Sequence, residues 1–356
     1  MVVAAADVPL QSSGGSSGRS IARPAAFPIA PHEFFHRRIP AAPRETTAKK
    51  AEGDDELRLP DLEHVCHLGE GACGVVTKVR HRRTGAVFAL KTAHYSDPNG
   101  ATADEEAEAL LRCAGSPHVV RCHAVLAAGD DAPAAYVLEL MDAGTLGDVL
   151  ARRRGGRGGI PELALAEVAA RCLEGLAHVH SRGVAHLDLR PDNLLANSSG
   201  DVKIGDFSVS RILYGRAGER HRRRVSVAVG SPMYLSPERF VADAHAGPRG
   251  AMAADVWGFG VTVMELFLGR CPFLLPGRVR PSFDKLSQAI CDGEPPSLPE
   301  SSGASPELRE FVAACLQKDP RRRATVAQLL THPFVARRHV DESRRALREL
   351  LVEKLE

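Results

Sequence analysis

A chain of 356 residues, 44% hydrophobic and 25% charged, can bury one large core or two ordinary ones. Its formal net charge of +2 argues against a dedicated nucleic-acid binder. No window approaches the roughly eighteen uninterrupted apolar residues of a membrane helix, and the start "MVVAAADVPLQSSGG" lacks a basic stretch followed by an apolar run. Neither a membrane span nor a secretory signal is therefore expected.

Residues 1–55 are rich in Ala, Pro, Ser and Gly without a helical or strand period, and read as a disordered leader. They hold few acids and are dotted with Arg19, Arg23, Arg37 and Arg38, a composition that overlaps with organelle transit peptides. The eight cysteines (Cys66, Cys73, Cys113, Cys122, Cys172, Cys271, Cys291 and Cys315) form no Cys-x-x-Cys pair and mostly sit in apolar stretches. They read as reduced small hydrophobes of an intracellular chain, expected in the cytoplasm and, as an extension, the nucleus. Cys73 stands apart because it lies in a glycine loop.

Periodic structure begins near Leu57. "EHVCHLGEGACGVVTKVRHRRTGAVFALKTA" predicts a strand, a glycine loop, a second strand, a Thr-Gly turn and a third strand ending at Lys91. "ATADEEAEALLRCAG" predicts a helix capped by Thr102 or Asp104 and closed by Gly115. Two short β-like stretches follow, "VVRCHAVLAAG" and "AAYVLELMD". From Gly144 onward the pattern is mostly helical: "TLGDVLARRR", "ELALAEVAARCLEGLAHVHSRG", "AADVWGFGVTVMELFLG", "SPELREFVAACLQ" and "TVAQLLTHPF". "RRRGGRGG" at 152–159 reads as a solvated loop, since no aromatics interleave its charges. The tail "DESRRALRELLVEKLE", within 335–356, predicts an amphipathic helix carrying Leu347, Leu350, Leu351 and Leu355. The expected class is α+β, with a β-rich lobe over 56–141 and a mainly helical lobe over 142–334.

The residues that carry chemistry lie along this frame in order. Gly69, Gly71, Gly74 and Val76 make a complete G-x-G-x-x-G-x-V between two strands, where bare backbone N–H groups can approach phosphates. Lys91, in "FALK", suits the α- and β-phosphates when a carboxylate from the next helix holds it. Glu106 is the first choice for that partner, with Glu105 and Glu108 open as alternatives. In "AHLDLRPDNLLA", Asp188 is placed to take or orient the proton of an acceptor hydroxyl, and Asn193 to hold Mg²⁺ by its amide oxygen. Arg190 takes a position where a lysine usually steadies the γ-phosphate. Asp206, in "IGDFSVS", supplies the second metal ligand, a carboxylate suited to a hard cation.

Together these motifs resemble the eukaryotic protein kinase family across residues 60–334. "SPERF" (Ser236, Pro237, Glu238) is similar to the family's Ala-Pro-Glu motif. "DVWGFG" looks like the helix whose Asp255 braces the catalytic loop, and "KDPRRRAT" like the segment whose Arg323 pairs with Glu238. The resemblance implies a two-lobed kinase fold and ATP with Mg²⁺ in the cleft. The implied nucleotide contacts are Gly69, Glu70, Gly71, Gly74, Val76, Ala89, Lys91 and Glu106, with Leu138 as back wall and Glu139 to Met141 as hinge. "GSPMYLSPERF" and "ELMDAGTL" narrow the resemblance to mitogen-activated protein kinase kinases, particularly plant ones. That implies dual-specificity phosphorylation of Thr and Tyr in a MAP kinase, and an upstream MAP kinase kinase kinase. The basic-plus-aliphatic docking motif of such enzymes has only a poor counterpart in "HRRIP" (His36 to Pro40).

Three departures bear on activity. Leu187 stands where the family has an arginine that receives an activation-loop phosphate. The slots that plant relatives fill with Ser or Thr hold His221 and Val227, so the phosphate and its receiver are missing together. Ser208 replaces the Gly of Asp-Phe-Gly, at about 1–2 kcal/mol if left-handed geometry is needed there. Arg222, Arg223 and Arg224 ahead of Ser226 offer either an alternative phosphorylation switch or a plain solvated loop. The two functional readings are a kinase freed from loop phosphorylation and a pseudokinase that works as a binding module.

Overall fold

The computed structural model describes residues 57–71, 73–93, 103–126, 134–153, 158–214, 230–241, 247–274, 277 and 279–352. The leader with "HRRIP", the Thr102 cap, Leu355, and the loop holding His221, Ser226 and Val227 lie outside them.

The N-terminal lobe is a five-stranded antiparallel sheet in the order β1-β2-β3-β5-β4. Its strands are β1 (Leu62–Gly71), β2 (Gly74–His81), β3 (Val87–Ala93), β4 (Cys122–Leu126) and β5 (Ala135–Glu139), with helix α1 (Ala103–Arg112) between β3 and β4. The turn from β1 to β2 needs Gly74: at its φ of 148°, a Cβ would lie 2.3 Å from the Thr92 carbonyl oxygen of β3. The β2–β3 turn closes at Gly85 (φ 73°), as the Thr-Gly pair predicts. Lys91 sits inside β3, paired with Val76 and Tyr136, rather than at its end.

The C-terminal lobe is built on α3 (Glu162–Ser181) and α4 (Pro248–Leu268), preceded by β6 (Gly144–Thr145) and α2 (Leu146–Arg153). Two small sheets join β6 to β8 (Leu194–Ala196) and β9 (Val202–Ile204), and β7 (Val184–Ala185) to β10 (Arg211–Ile212). Helices α5 (Phe283–Cys291), α6 (Pro306–Cys315), α7 (Val326–Leu330), α8 (Pro333–Ala336) and α9 (Val340–Val352) complete it. By length and composition α4 could cross a membrane, but 78% of its apolar window is buried. Its apolarity all round is that of a core helix.

Three sequence expectations are corrected. Helix α5 was not anticipated, although Phe283, Leu286 and Ile290 stand at helical spacing; it buries Leu286 and Ile290, and Ser282 caps it by accepting from the Lys285 amide. "TVAQLLTHPF" is two helices, because Pro333 cannot donate into the first and His332 caps the second by accepting from the Phe334 amide. At the described end of the 152–159 segment, Gly158 is exposed as a solvated loop requires, but Gly159 is packed. A Cβ on Gly159 would strike the Phe267 carbonyl, and Ile160 donates to Leu266 O at 2.7 Å.

One continuous apolar core runs from Ala89 in β3 through Phe207 to Leu351 in α9. Helix α9 lies along α3, fastened by Glu167, a carboxylate only 1% exposed. Glu167 accepts from Arg171 (2.8 Å), Arg338 (2.9 Å) and Arg344 (3.2 Å). Burial raises the Glu167 carboxyl, but the hydrogen bonds from Arg338 and Arg171 outweigh it and leave the group below its ordinary range.

Replacing Glu167 by Gln should lower the unfolding free energy by about 2–4 kcal/mol at neutral pH. A folded carboxyl held below its ordinary 4.5 contributes fully above that value and loses its contribution as pH falls through the folded value. Denaturant titrations of both proteins at neutral pH and at about pH 3 should show the gap narrowing. A gap that persists in acid would mean that packing, not charge, fastens α9.

Candidate active site

A cleft of about 710 Å³ opens between the sheet and the helical lobe. Gly69, Glu70, Gly71, Gly74, Val76, Ala89, Lys91, Glu106, Leu138, Glu139, Met141, Asp188, Arg190, Asn193 and Asp206 all line it. The fold thus gathers every site residue expected from the sequence. Leu68 and Leu195, which sequence reasoning passed over, also line it. With Val76, Ala89 and Met141 they form an apolar slot suited to a flat ring. Leu195 could have been found by alternation: Leu194 and Ala196 on either side of it in β8 are buried in the core.

Lys91 is the electrostatic centre. Its Nζ lies 2.5 Å from Glu106 Oε1 and 2.8 Å from Asp206 Oδ1, above the Tyr136 ring at 5.9 Å from the centroid. The choice among three glutamates is thereby resolved in favour of Glu106, which is buried at 4% exposure. Burial pulls the Lys91 ammonium down, but Asp206 and Glu106 more than offset it and raise it above its ordinary value. Burial lifts Asp206 in the same way, and Lys91 with Ser208 outweighs it, holding that carboxyl at about 2. Glu106 is raised, because burial and the nearby Asp206 exceed the pull of Lys91.

Asp188 is held from both sides. Its Oδ1 accepts from the Ser231 amide (2.8 Å) and its Oδ2 from Asn193 Nδ2 (2.9 Å). Asn193 Nδ2 also donates to the Asp188 carbonyl at 2.7 Å, which spends its amide hydrogens on Asp188 and leaves its oxygen for a cation. Asp206 spends Oδ1 on Lys91 and on the Ser208 amide (3.4 Å), leaving Oδ2. Two hard oxygens from these residues fit a divalent ion that shares its remaining positions with phosphate oxygens. Among the described residues no group of three or more His, Cys, Asp or Glu could hold a metal without such help.

Glu139 lines the cleft at the hinge position expected of it. Its carboxylate is taken by Lys203 Nζ (2.7 and 2.8 Å) and the Arg121 amide (2.6 Å), so only its backbone serves the cleft.

The sequence profile of the protein kinase domain matches residues 62–335. The chain belongs to the protein kinase family. It is 39% identical over 300 residues to Mitogen-activated protein kinase kinase 9 of Arabidopsis thaliana, covering 84% of this chain and 92% of that protein. It is 40% identical over 282 residues to Mitogen-activated protein kinase kinase 7 of the same plant, covering 78% and 86%. Mitogen-activated protein kinase kinase 1c of Physcomitrium patens is 33% identical over 311 residues, covering 85% and 84%. The kinase therefore resembles mitogen-activated protein kinase kinases, and its cleft is an ATP site.

Kinase activity requires the lysine–glutamate pair and the metal-binding Asp to be in place together. Both are in place here, with Phe207 fully buried and edge-on to His186 at 5.0 Å. Leu187 has a left-handed backbone (φ 66°) and buries its side chain beside Ala185, Ala251 and Ala254, with Leu213 packed against them. The receiving-arginine pocket is thus an apolar cluster in this kinase. Ser208 does not bear the strain expected of it: the positive φ falls two residues earlier, at Asp206 (57°). Its buried side chain neighbours the Cys73 thiol of the glycine loop, which burial pushes up.

Because the backbone at 208 is not left-handed, Ser208→Gly should change the rate of phosphoryl transfer by no more than about threefold. A tenfold or greater gain in a radiolabelled transfer assay would show that Ser208 does obstruct the catalytic arrangement.

Proposed function

We propose that this kinase acts as a mitogen-activated protein kinase kinase, moving the γ-phosphoryl group of ATP, with Mg²⁺, to Thr and Tyr hydroxyls in the activation loop of a MAP kinase. We further propose that it works without a phosphate on its own activation loop. The observation that carries the reading is the simultaneous assembly of Lys91–Glu106–Asp206 and Asp188–Asn193 while Leu187 lies packed in an apolar cluster. The names of its relatives supply the substrate class, and a MAP kinase kinase kinase remains the expected upstream partner.

In this reading Gly69, Gly71 and Gly74 let backbone N–H groups close on the phosphates, and Lys91 neutralises the α- and β-phosphate oxygens. Mg²⁺ at Asn193 and Asp206 would offset the charge that develops as the phosphoryl group moves. The acceptor oxygen attacks phosphorus, the bond to the ADP oxygen breaks, and the hydroxyl proton passes toward the Asp188 carboxylate. The hydrogen bonds from Ser231 and Asn193 hold that carboxylate against rotation before the acceptor arrives.

A second reading, a nucleotide-binding module that assembles cascade partners, draws on Arg190, whose guanidinium is drawn to Asp192 and Asp188 inside the site. Phosphatase-treated protein given labelled ATP, Mg²⁺ and kinase-dead MAP kinases separates the two. The proposal expects labelling of the Thr-x-Tyr loop, reduced at least about 10²-fold by Asp188→Ala and by Lys91→Met. Equal background labelling in all three proteins would favour the binding module.

Leu187→Arg tests the apolar cluster. Burying a guanidinium against Ala251, Ala254 and Leu213 should cost about 1–3 kcal/mol of stability and slow transfer by unphosphorylated enzyme. Unchanged melting and unchanged transfer would show that the cluster does not hold the site together.

A further inference from the structure

The residue after the catalytic loop's arginine-proline step has no role in the reading above, yet its carboxylate touches that arginine. Arg190 Nη1 donates to Asp192 Oδ2. On the other side, Arg190 Nε lies 3.4 Å from Asp188 Oδ2, and this buried N–H has no hydrogen-bond partner among the described residues. A buried guanidinium N–H without an acceptor calls for an explanation. Arg190, Asp188, Asp192, Asn193 and Asp206 all face the same cleft, so the missing acceptor can be a ligand oxygen.

Space for Asp192 is made by a specific residue. A Cβ on Gly147, the second residue of α2, would lie 2.1 Å from Asp192 Oδ1. No side chain at 147 is compatible with the present position of that carboxylate. Gly147, Asp192 and Arg190 thus form a chain of contacts from the start of α2 to the edge of the catalytic carboxylate.

The chemistry of arginine gives the chain its purpose. A lysine ammonium is a point charge on a flexible stem and needs no orientation, whereas a guanidinium binds phosphate through one planar edge. A carboxylate on Nη1 fixes the plane and leaves the edge carrying Nε and Nη2 to the ligand. We propose that Asp192 is a positioning residue: it holds Arg190 by Nη1 so that the Nε edge meets the γ-phosphoryl group, and Gly147 provides the room for it. This rests on the proposed use of ATP, but it can be tested without phosphoryl transfer.

Calorimetry of the full chain with Mg²⁺ would compare ADP with β,γ-imido-ATP, a triphosphate that is not turned over. The expected result is a preference for the triphosphate that Asp192→Asn reduces about fivefold to tenfold, with ADP affinity unchanged. Gly147→Ala should have the same effect, and Asp192→Asn should add nothing in an Arg190→Ala background. In transfer assays Asp192→Asn should lower kcat and leave the KM for the protein acceptor unaltered. The proposal is overturned by equal losses for ADP and triphosphate, by a wild-type protein with no triphosphate preference, or by a change confined to the acceptor KM. Should no protein transfer phosphate while the preference still falls in Asp192→Asn, the kinase reading fails and the positioning role of Asp192 stands.

Discussion

One buried carboxylate fixes the backbone on which the site is built. Asp255 of α4 accepts from His180 Nε2 (2.8 Å) and the His186 amide (2.9 Å) through Oδ2, and from the Leu187 amide (2.6 Å) through Oδ1. From the other side, Arg239 donates to the Leu187 carbonyl at 2.9 Å. Between these clamps Leu187 keeps a left-handed backbone that would otherwise cost about 1–2 kcal/mol. The next residue is Asp188, so its direction into the cleft follows from this geometry. The same loop reaches Asp206, because His186 Nε2 meets the Gly205 carbonyl at 2.9 Å and its ring meets Phe207. Thr262 adds a third tie from α4 by donating to the Leu189 carbonyl.

The charges in the cleft make nucleotide and cation entry interdependent. Lys91 stands between two carboxylates, and Arg190 lies against Asp188 and Asp192. Each cation is therefore opposed by two acids, a net negative site that repels a nucleoside triphosphate arriving alone. A divalent cation on the oxygens left by Asn193 and Asp206, as proposed, would cancel that excess. Burial sharpens the effect, since interactions are stronger in a low-dielectric cleft than in water. Its cost is met by hydrogen bonds to the same oxygens, which is why the arrangement holds together before a ligand enters.

Much of this was legible in the sequence, because the chemistry is carried by short motifs whose spacing reflects local turns. The glycine loop, Lys91, Asp188, Asn193 and Asp206 belong to this class. Glu106 was ambiguous among three glutamates because its role depends on how α1 is set against the sheet, a tertiary fact. Glu139 was placed in the site by its position in the hinge, and only the fold shows that its carboxylate is held by Lys203, distant in sequence. Strain was expected at Ser208 because a glycine usually stands there; the backbone puts it at Asp206 and Leu187 instead. Helix α5 was legible and passed over, since Phe283, Leu286 and Ile290 stand at helical spacing behind the Ser282 cap. Asp192 and Gly147 gave no signal at all, since the clash that couples them exists only in three dimensions.

Leu187 bears on how such an enzyme could run without a loop phosphate. A phosphate on an activation loop acts as a ligand that favours the assembled conformation through charge-assisted hydrogen bonds, each worth about 1.5–3 kcal/mol net. Burying a leucine side chain contributes about 1.5–3 kcal/mol, a bias of the same size. Here the leucine reaches the start of the activation segment itself. Leu213 packs against its cluster, and the Leu213 amide donates to the Gly183 carbonyl at 2.7 Å. The neighbouring Tyr214 carbonyl accepts from Arg112 of α1 at 3.0 Å, and α1 is the helix that carries Glu106. The segment's first turn is thus tied to the catalytic loop by apolar contact and to the lysine partner's helix by a hydrogen bond. An arginine at 187 without its phosphate would place an uncompensated charge at this junction and weaken both ties. On the proposed reading the leucine makes the unphosphorylated arrangement the packed one, and His221 and Val227 in the phosphoacceptor slots would belong to the same change of switch.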